Sequence, residues 1–176
     1  MQFDNYKIKL LDASENKAFF NLIENNRTRL EDFFAGTVSR TLTFEDTVEY
    51  CKEIEQRIIN KTYLPFIVID TITDNFVGLV DVKNTDWSIP KAELGLFIDK
   101  DYEGKGITTK AMRLVINHII NVYRFKKLLC RASSKNLGSV SVILKNNFEL
   151  EGTIRRDYKT SRGEIVDLNY YGRVFD

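Results

Sequence analysis

The residues best suited to chemistry lie in one segment, where a predicted strand ending at Asp99 leads into the turn Gly104-Lys105-Gly106. A helix is predicted to begin directly after this turn. Glycine lets the backbone approach a ligand closely, and the first N–H groups of a helix have no partner within the helix. Those donors and the helix dipole favour phosphate groups. The segment therefore predicts a phosphate-binding turn, with a simple tight strand-to-helix turn as the alternative.

Two common phosphate-binding motifs do not match this turn. No Lys-Ser or Lys-Thr pair stands at the spacing that a Walker A loop requires. The third glycine position of a dinucleotide-binding fingerprint is Thr109, and the turn lies in the middle of the chain. Nucleotide hydrolysis and hydride transfer are therefore not predicted.

Two later segments add to the pattern. One is Asn136-Leu137-Gly138-Ser139, which follows a predicted strand, and the other runs from Asn147 to Gly152. Together with the turn they resemble the GNAT superfamily of N-acetyltransferases, and more narrowly its branch that acetylates the N-termini of ribosomal proteins. The residues that match are Tyr102, Gly104, Lys105, Gly106, Ile107, Thr109, Asn136, Ser139, Phe148, Glu151 and Gly152. The chain departs from the pattern at Asp101, usually Gln or Arg, and at Asn147, usually Gly.

The resemblance implies that acetyl-CoA is the co-substrate and that no metal takes part. The turn would hold the CoA pyrophosphate by its N–H groups, and the preceding strand would offer its backbone to the pantetheine arm. Asn136 would bind that arm from the other side, and a helix N-cap is an alternative role for the same side chain. The implied cofactor-binding residues are Leu96, Phe97, Ile98, Gly104, Lys105, Gly106, Ile107, Thr108, Thr109 and Asn136.

The resemblance also suggests two catalytic residues. Ser139 is the candidate acid for the departing thiolate, because many relatives carry a Tyr where this chain has Ile143. Capping of its helix is the alternative role for Ser139. Glu93 is the candidate base, acting through water, and a solvated cross-strand charge is the alternative. Some relatives keep a Glu on the penultimate strand, and this chain has Tyr158 at the corresponding position. His118 is predicted to have a surface or packing role rather than a catalytic one.

The sequence indicates less clearly which residues would bind the amine acceptor. Residues 31–55 contain seven acids and two bases. If the helices of this region flank the acceptor groove, as the resemblance implies, the acids would attract a cationic amine. The alternative is that they form solvated helix faces. Phe33, Phe34 and Trp87 would line the acceptor pocket or belong to the core.

Composition excludes several classes of protein. The 176 residues carry a net charge of +1, which argues against a dedicated nucleic-acid binder. Cys51 and Cys130 stand far apart, and one His cannot help them to form a zinc site. The apolar runs are too short to cross a membrane, and no signal peptide is apparent. We expect a cytoplasmic protein without a membrane partner, either a monomer or a homodimer.

Hydrophobic periodicity predicts one domain, residues 1–176, of the mixed α/β class. The GNAT fold that the resemblance implies is a twisted, mostly antiparallel sheet of about seven strands with about four helices. The strands are predicted at 6–11, 64–70, 76–83, 92–99, 127–132, 149–158 and 164–174. The helices are predicted at 15–25, from Thr43 to 60, from the glycine turn to 122 and at 137–146, with 27–41 as a loop or short irregular helix.

The predicted function is acetyl-CoA-dependent transfer of an acetyl group to a primary amine by direct attack. The acceptor would be a protein N-terminus, including that of a ribosomal protein. Two alternatives remain at this point. One is an acetyltransferase for a small amine, such as a polyamine, an amino acid or an aminoglycoside. The other is a catalytically silent acyl-CoA-binding module that acts through a protein partner.

Overall fold

The fold is built on one eight-stranded sheet in a computed structural model that describes residues 1–176. The strands are β1 (Gln2–Phe3), β2 (Tyr6–Leu10), β3 (Leu64–Asp70), β4 (Phe76–Asp86), β5 (Lys91–Ile98), β6 (Lys127–Ala132), β7 (Glu149–Lys159) and β8 (Ile165–Val174). The helices are α1 (Asn16–Leu30), α2 (Ala35–Ser39), α3 (Phe44–Ile59), α4 (Ile107–Tyr123) and α5 (Leu137–Lys145). Two short 3₁₀ helices cover Ala13–Glu15 and Lys100–Tyr102.

The mixed α/β class is confirmed, and the counts differ slightly from those predicted. The eighth strand is β1, a two-residue strand that is too short to show an alternating pattern. The fifth helix is α2, which lies within the stretch expected to be a loop or short irregular helix. Helix α1 continues to Leu30, beyond the predicted end at Asn25.

The sheet order is β1-β2-β3-β4-β5-β6-β8-β7, and every neighbouring pair is antiparallel except β5 and β6. Helix α4 is the crossover that parallel strands require. The β5–β6 pairing runs from Lys91↔Lys127 to Leu94↔Cys130 and stops there, although both strands continue. The sheet therefore opens between these two strands.

Helices bury both faces of the sheet at its central strands, whereas the edge strand β7 is mostly exposed. Alternation in β3 sends Phe66 and Val68 into one core cluster and Ile67 and Ile69 into the other. The first cluster includes Ala111 and other residues of α4, and the second includes residues of α1 and α3. Burying one large apolar side chain contributes about 1.5–3 kcal/mol. These two layers hold the opening between β5 and β6 in a fixed place.

The start of α3 confirms a local prediction. Thr43 Oγ1 accepts a hydrogen bond from the Asp46 N–H at 3.1 Å, and Asp46 Oδ2 accepts one from the Thr43 N–H at 3.0 Å. The two side chains form a capping box with Asp in place of the usual Glu or Gln.

Candidate active site

A cleft of about 610 Å³ occupies the opening between β5 and β6. It begins at the glycine turn before α4 and reaches the loop between α1 and α2. The predicted site residues that line it are Glu93, Leu96, Phe97, Ile98, Gly104, Gly106, Thr108, Thr109, Asn136 and Ser139. The two that do not line it are Lys105 and Ile107. The side chain of Ile107 is buried in the core, and Lys105 Nζ donates to the Asp101 carbonyl at 2.8 Å, so each would offer only its backbone N–H.

The glycine turn leaves the N-terminus of α4 uncapped. Gly104 and Gly106 have φ of +72° and +73°, a left-handed conformation that L side chains rarely adopt. The first intrahelical bond runs from the Lys110 N–H to the Gly106 carbonyl, so the N–H groups of residues 107–109 precede it. No side chain caps the helix and no acid lies in its first turn. This end of the cleft therefore suits an anion such as a phosphate.

A buried hydrogen-bond network anchors the backbone just before the turn. Asp99, at the end of β5, accepts from Asn26 Nδ2 at 2.7 Å and from the Asp101 N–H at 2.9 Å. Asn26 Oδ1 in turn accepts from the Lys100 N–H at 3.2 Å. No local sequence pattern indicates this role for Asn26, because it lies 73 residues from Asp99 along the chain. The network fixes α1 against the entrance to the turn.

Past Leu94, β5 is paired on one side only. Residues 95–98 continue to pair with β4, from Asp81↔Gly95 to Gly78↔Ile98, but have no strand partner toward β6. A strand edge of this kind presents free N–H and C=O groups to an extended ligand. The cleft can therefore bind a linear chain along Leu96, Phe97 and Ile98.

Asn136 and Ser139 face this edge from the start of α5. Asn136 is the N-cap of α5, and its Oδ1 accepts from the Ser139 N–H at 3.1 Å. That bond leaves the Nδ2 donors of Asn136 available to a ligand. Ser139 Oγ makes no hydrogen bond within the protein, so the expected alternative, capping by this hydroxyl, is not observed. Ile143 is buried and carries no polar group.

A cluster of charged side chains lies at the other end of the cleft. Glu93 Oε1 accepts from Arg131 Nε at 3.0 Å, and its Oε2 accepts from Asn84 Nδ2 at 2.9 Å. Lys83 Nζ lies 3.4 Å from Asp81 Oδ1. Burial lowers the pKa of the Lys83 ammonium, but Asp81 and Glu93 outweigh this effect and raise the pKa above its ordinary value. Lys83 is therefore charged at neutral pH.

Aromatic side chains form the wall of this end. Phe33 stacks on Tyr158 with ring centroids 6.4 Å apart, and Phe34 meets Phe97 edge to face at 5.1 Å. Burial, followed by the charge of Asp32, raises the pKa of Tyr158, so it stays protonated. Phe33 and Phe34 thus line the cleft, whereas Trp87 stacks on Phe125 away from it.

None of the seven acids between residues 31 and 55 lines the cleft. The five on α3 are all exposed to solvent, as solvated helix faces would be: Glu45, Asp46, Glu49, Glu53 and Glu55. The α3 acids therefore fit the alternative of solvated helix faces, while Asp32 lies near Tyr158 at the end of the cleft. His118 packs against Phe66 at 5.6 Å and Tyr123 at 6.2 Å, which confirms its predicted packing role.

Burial keeps both cysteine thiols in the protonated form. Cys130 borders the cleft, but burial raises the pKa of its thiol well above the ordinary value. Burial also raises the pKa of Cys51, to about 11. No three His, Cys, Asp or Glu side chains are grouped so that they could hold a metal ion, and no helix is long and apolar enough to cross a membrane.

Comparison with known proteins now identifies the family. The sequence profile of the GNAT acetyltransferase domain matches residues 8–149. The chain belongs to this family. It is 28% identical to the probable N-acetyltransferase YjcK of Bacillus subtilis, over 86% of this chain and 83% of that protein. It is 24% identical to the ribosomal-protein-serine acetyltransferase of Escherichia coli, over 96% and 93%.

A solved structure shows the same fold over nearly the full length of both chains. The ribosomal-protein-S5-alanine acetyltransferase of Vibrio fischeri superposes with a TM-score of 0.91 at 18% identity, over 100% of this chain and 96% of that one. The predicted GNAT fold is confirmed. The family match and these relatives make the chain an N-acetyltransferase that uses acetyl-CoA.

Proposed function

We propose that this GNAT enzyme acetylates the α-amine of a protein N-terminus by direct attack on acetyl-CoA. The observation that carries the proposal is a single cleft that joins an uncapped helix N-terminus, a free strand edge and the Glu93 cluster in that order along β5. The helix N-terminus suits the pyrophosphate of CoA, and the strand edge suits its linear pantetheine arm. The Glu93 cluster suits the amine that reacts with the thioester.

The residues that would hold acetyl-CoA fit its chemistry. The N–H groups of residues 104–109 would bind the pyrophosphate, since a side chain at Gly106 would meet no atom within 4 Å and the space above the turn is open. The backbone of Leu96, Phe97 and Ile98 would bind the pantetheine arm, with Asn136 Nδ2 donating from the opposite side. Acetyl-CoA supplies the activated thioester carbonyl.

The chain's own residues would then handle protons. An ammonium has no lone pair, so the acceptor must lose a proton before it attacks. Glu93 would accept that proton through a water molecule. Its two donors, Arg131 and Asn84, hold the carboxylate in place. As the C–N bond forms and the C–S bond breaks, Ser139 Oγ would donate a hydrogen bond to the departing thiolate.

The acceptor assignment has two supports. Relatives on both the sequence and the structure side are named for acetylation of ribosomal proteins. We call the end of the cleft at Glu93 and Lys83 the acceptor end. It is bounded by Phe33, Tyr158 and Leu168, whose apolar surfaces can pack along a peptide backbone. An N-terminal segment could enter there while its α-amine reaches Glu93.

The test is a free-thiol assay with acetyl-CoA and a peptide that has a free N-terminus, followed by mass spectrometry of the product. We expect CoA release that depends on the peptide, with the acetyl group on its α-amine. The matched control is the same peptide with a blocked N-terminus and an internal Lys. Release with the blocked peptide, or with spermidine only, would contradict the proposal. Binding of acetyl-CoA without any amine-dependent release would instead indicate a silent module.

A further inference from the structure

The side chains lining the cleft that carry a charge at neutral pH are four bases and two acids. Each acid is already paired with a base, Glu93 with Arg131 and Glu103 with Arg29. The remaining bases are Lys145, where α5 ends, and Lys83, at the acceptor end. Lys83 is therefore a cation at the acceptor end whose counter-ion, Asp81, does not line the cleft.

Lys83 occupies a defined place above β5. It lies opposite Glu93 in the β4–β5 register, and its ammonium is 5.1 Å from the centre of the Phe34 ring. A Cβ at Gly95 would lie 2.6 Å from Lys83 Nζ and closer still to Asp81 Oδ1, so glycine leaves room for this ion pair directly over the strand. Gly95 is the first residue of β5 beyond its last pair with β6. The ammonium thus sits where the free edge of the strand begins.

The Lys83 ammonium keeps donors to spare. Its partner in the protein is Asp81 Oδ1 at 3.4 Å, and an ammonium has three donors. Asp81 is 3% exposed, also accepts from the Tyr63 hydroxyl at 3.2 Å, and does not line the cleft. Lys83 itself is 26% exposed. Because Lys83 is the more exposed partner of this ion pair, a ligand in the cleft would contact the ammonium more readily than the Asp81 carboxylate.

Arg131 and Tyr158 border the same place. Arg131 contacts Glu93 through Nε, and its guanidinium lies 5.7 Å from the centre of the Tyr170 ring. Lys83 and Arg131 both lower the pKa of the Tyr158 hydroxyl, against the opposing effects of burial and Asp32. Two cations and a phenol thus surround one end of the cleft, together with Glu93, which is paired with Arg131, and the nearby Asp32.

We propose that Lys83, supported by Arg131, binds a carboxylate of the acceptor, so that the enzyme favours N-termini with Asp or Glu at position two or three. This inference rests on the proposed acetylation of protein N-termini. A carboxylate there would pair with Lys83 while the α-amine reaches Glu93. A polyamine would instead bring further positive charge toward two cations.

The experiment compares short peptides with free N-termini that differ only by Glu or Gln at position two, and a second pair that differs at position three. We expect kcat/KM to be about two- to fivefold higher for the Glu member of at least one pair, as for other partly exposed charge pairs. The preference should weaken as salt rises. Lys83→Met should bring the ratio close to one, and Lys83→Arg should retain most of it.

Lys145→Met is the matched control, because it removes a lysine from the same cleft near the glycine turn and should keep the Glu/Gln ratio. If Lys83→Met does not fold by circular dichroism, Lys83→Gln takes its place. Equal rates for Glu and Gln peptides in the wild type would overturn this inference but not the proposed function. So would a preference that survives loss of Lys83. If no peptide is acetylated, the proposed function fails and the inference fails with it.

Discussion

At the scale of single residues, Glu93 is held more firmly than its sequence position suggests. Both carboxylate oxygens accept hydrogen bonds, from Arg131 and Asn84, and the side chain is only 12% exposed. A carboxylate fixed in this way can orient a water molecule toward the acceptor amine. It can also be purely structural, since loss of a buried acceptor leaves its donors unsatisfied. The two roles differ in their dependence on pH.

We predict that Glu93→Gln lowers kcat/KM most strongly near neutral pH and partly recovers at high pH. At high pH the free amine is already abundant, so a base is needed less. The measurement is a pH profile of wild type and variant with one peptide, after circular dichroism has shown that both fold. Glu103→Gln, which changes the other acid of the cleft, should show no such recovery. A deficit that is equal at every pH would remove Glu93 from proton transfer.

Ser139 gives the second prediction at this scale. Its hydroxyl makes no bond within the protein and is proposed to act as the thiolate develops, so Ser139→Ala should lower kcat more than it raises KM for acetyl-CoA. We expect a fall in kcat of about tenfold or more, toward the roughly 10²–10⁴-fold range of a positioned acid. Ser141→Ala is the matched control, since Ser141 lines the same cleft. A fall of less than about threefold (the scale of a non-catalytic contact) would argue against the role.

At the scale of elements, the turn before α4 is the feature that the order of residues along the chain predicts most directly. A strand, two glycines and a helix are consecutive in sequence, and the positive φ of Gly106 needs no distant partner. We predict that Gly106→Asp abolishes binding of acetyl-CoA, because it adds a carboxylate at the proposed pyrophosphate site. Isothermal titration calorimetry measures this.

The control for Gly106→Asp must carry the same backbone strain. Gly163, in the turn between β7 and β8, has a φ of +83° and does not line the cleft. Gly163→Asp should therefore lose similar stability but keep its affinity for acetyl-CoA. If the Gly106 variant folds and binds acetyl-CoA as tightly as the wild type, the turn is not part of the cofactor site.

The elements also show what the sequence can and cannot predict. Periodicity located β3 and β6 at their observed bounds and α3 at its capping box, because these signals are local. It missed β1, which is too short to complete a period, and it placed α2 only within a stretch expected to be a loop or short irregular helix. The separation of β5 from β6 depends on where two strands 30 or more residues apart stop pairing, and no local pattern records that. The Asn26–Asp99 bond and the cation at Lys83 are likewise products of tertiary structure.

At the scale of the whole molecule, α1 links the two ends of the cleft. Its Asn26 holds the backbone before the glycine turn, and its last residue, Leu30, lines the cleft ahead of Phe33 and Phe34. Arg29 adds the ion pair with Glu103 beside the turn. The cofactor end and the acceptor end are thus built on one helix. Filling the cofactor end should therefore stabilise the fold as a whole.

We predict that CoA raises the melting temperature of the enzyme. A ligand at one hundred times its Kd that binds only the folded state contributes about 2.7 kcal/mol. For a chain of this size each kcal/mol corresponds to about 2–4 °C, so the rise should be about 5–10 °C. Differential scanning fluorimetry measures it. Pantetheine lacks the pyrophosphate and should give a much smaller rise at the same concentration, since it leaves the N-terminus of α4 unoccupied. Gly106→Asp should lose the CoA-induced rise while Gly163→Asp keeps it. Equal rises with CoA and pantetheine would mean that the phosphates gain nothing from the turn, and that only the free edge of β5 binds the cofactor.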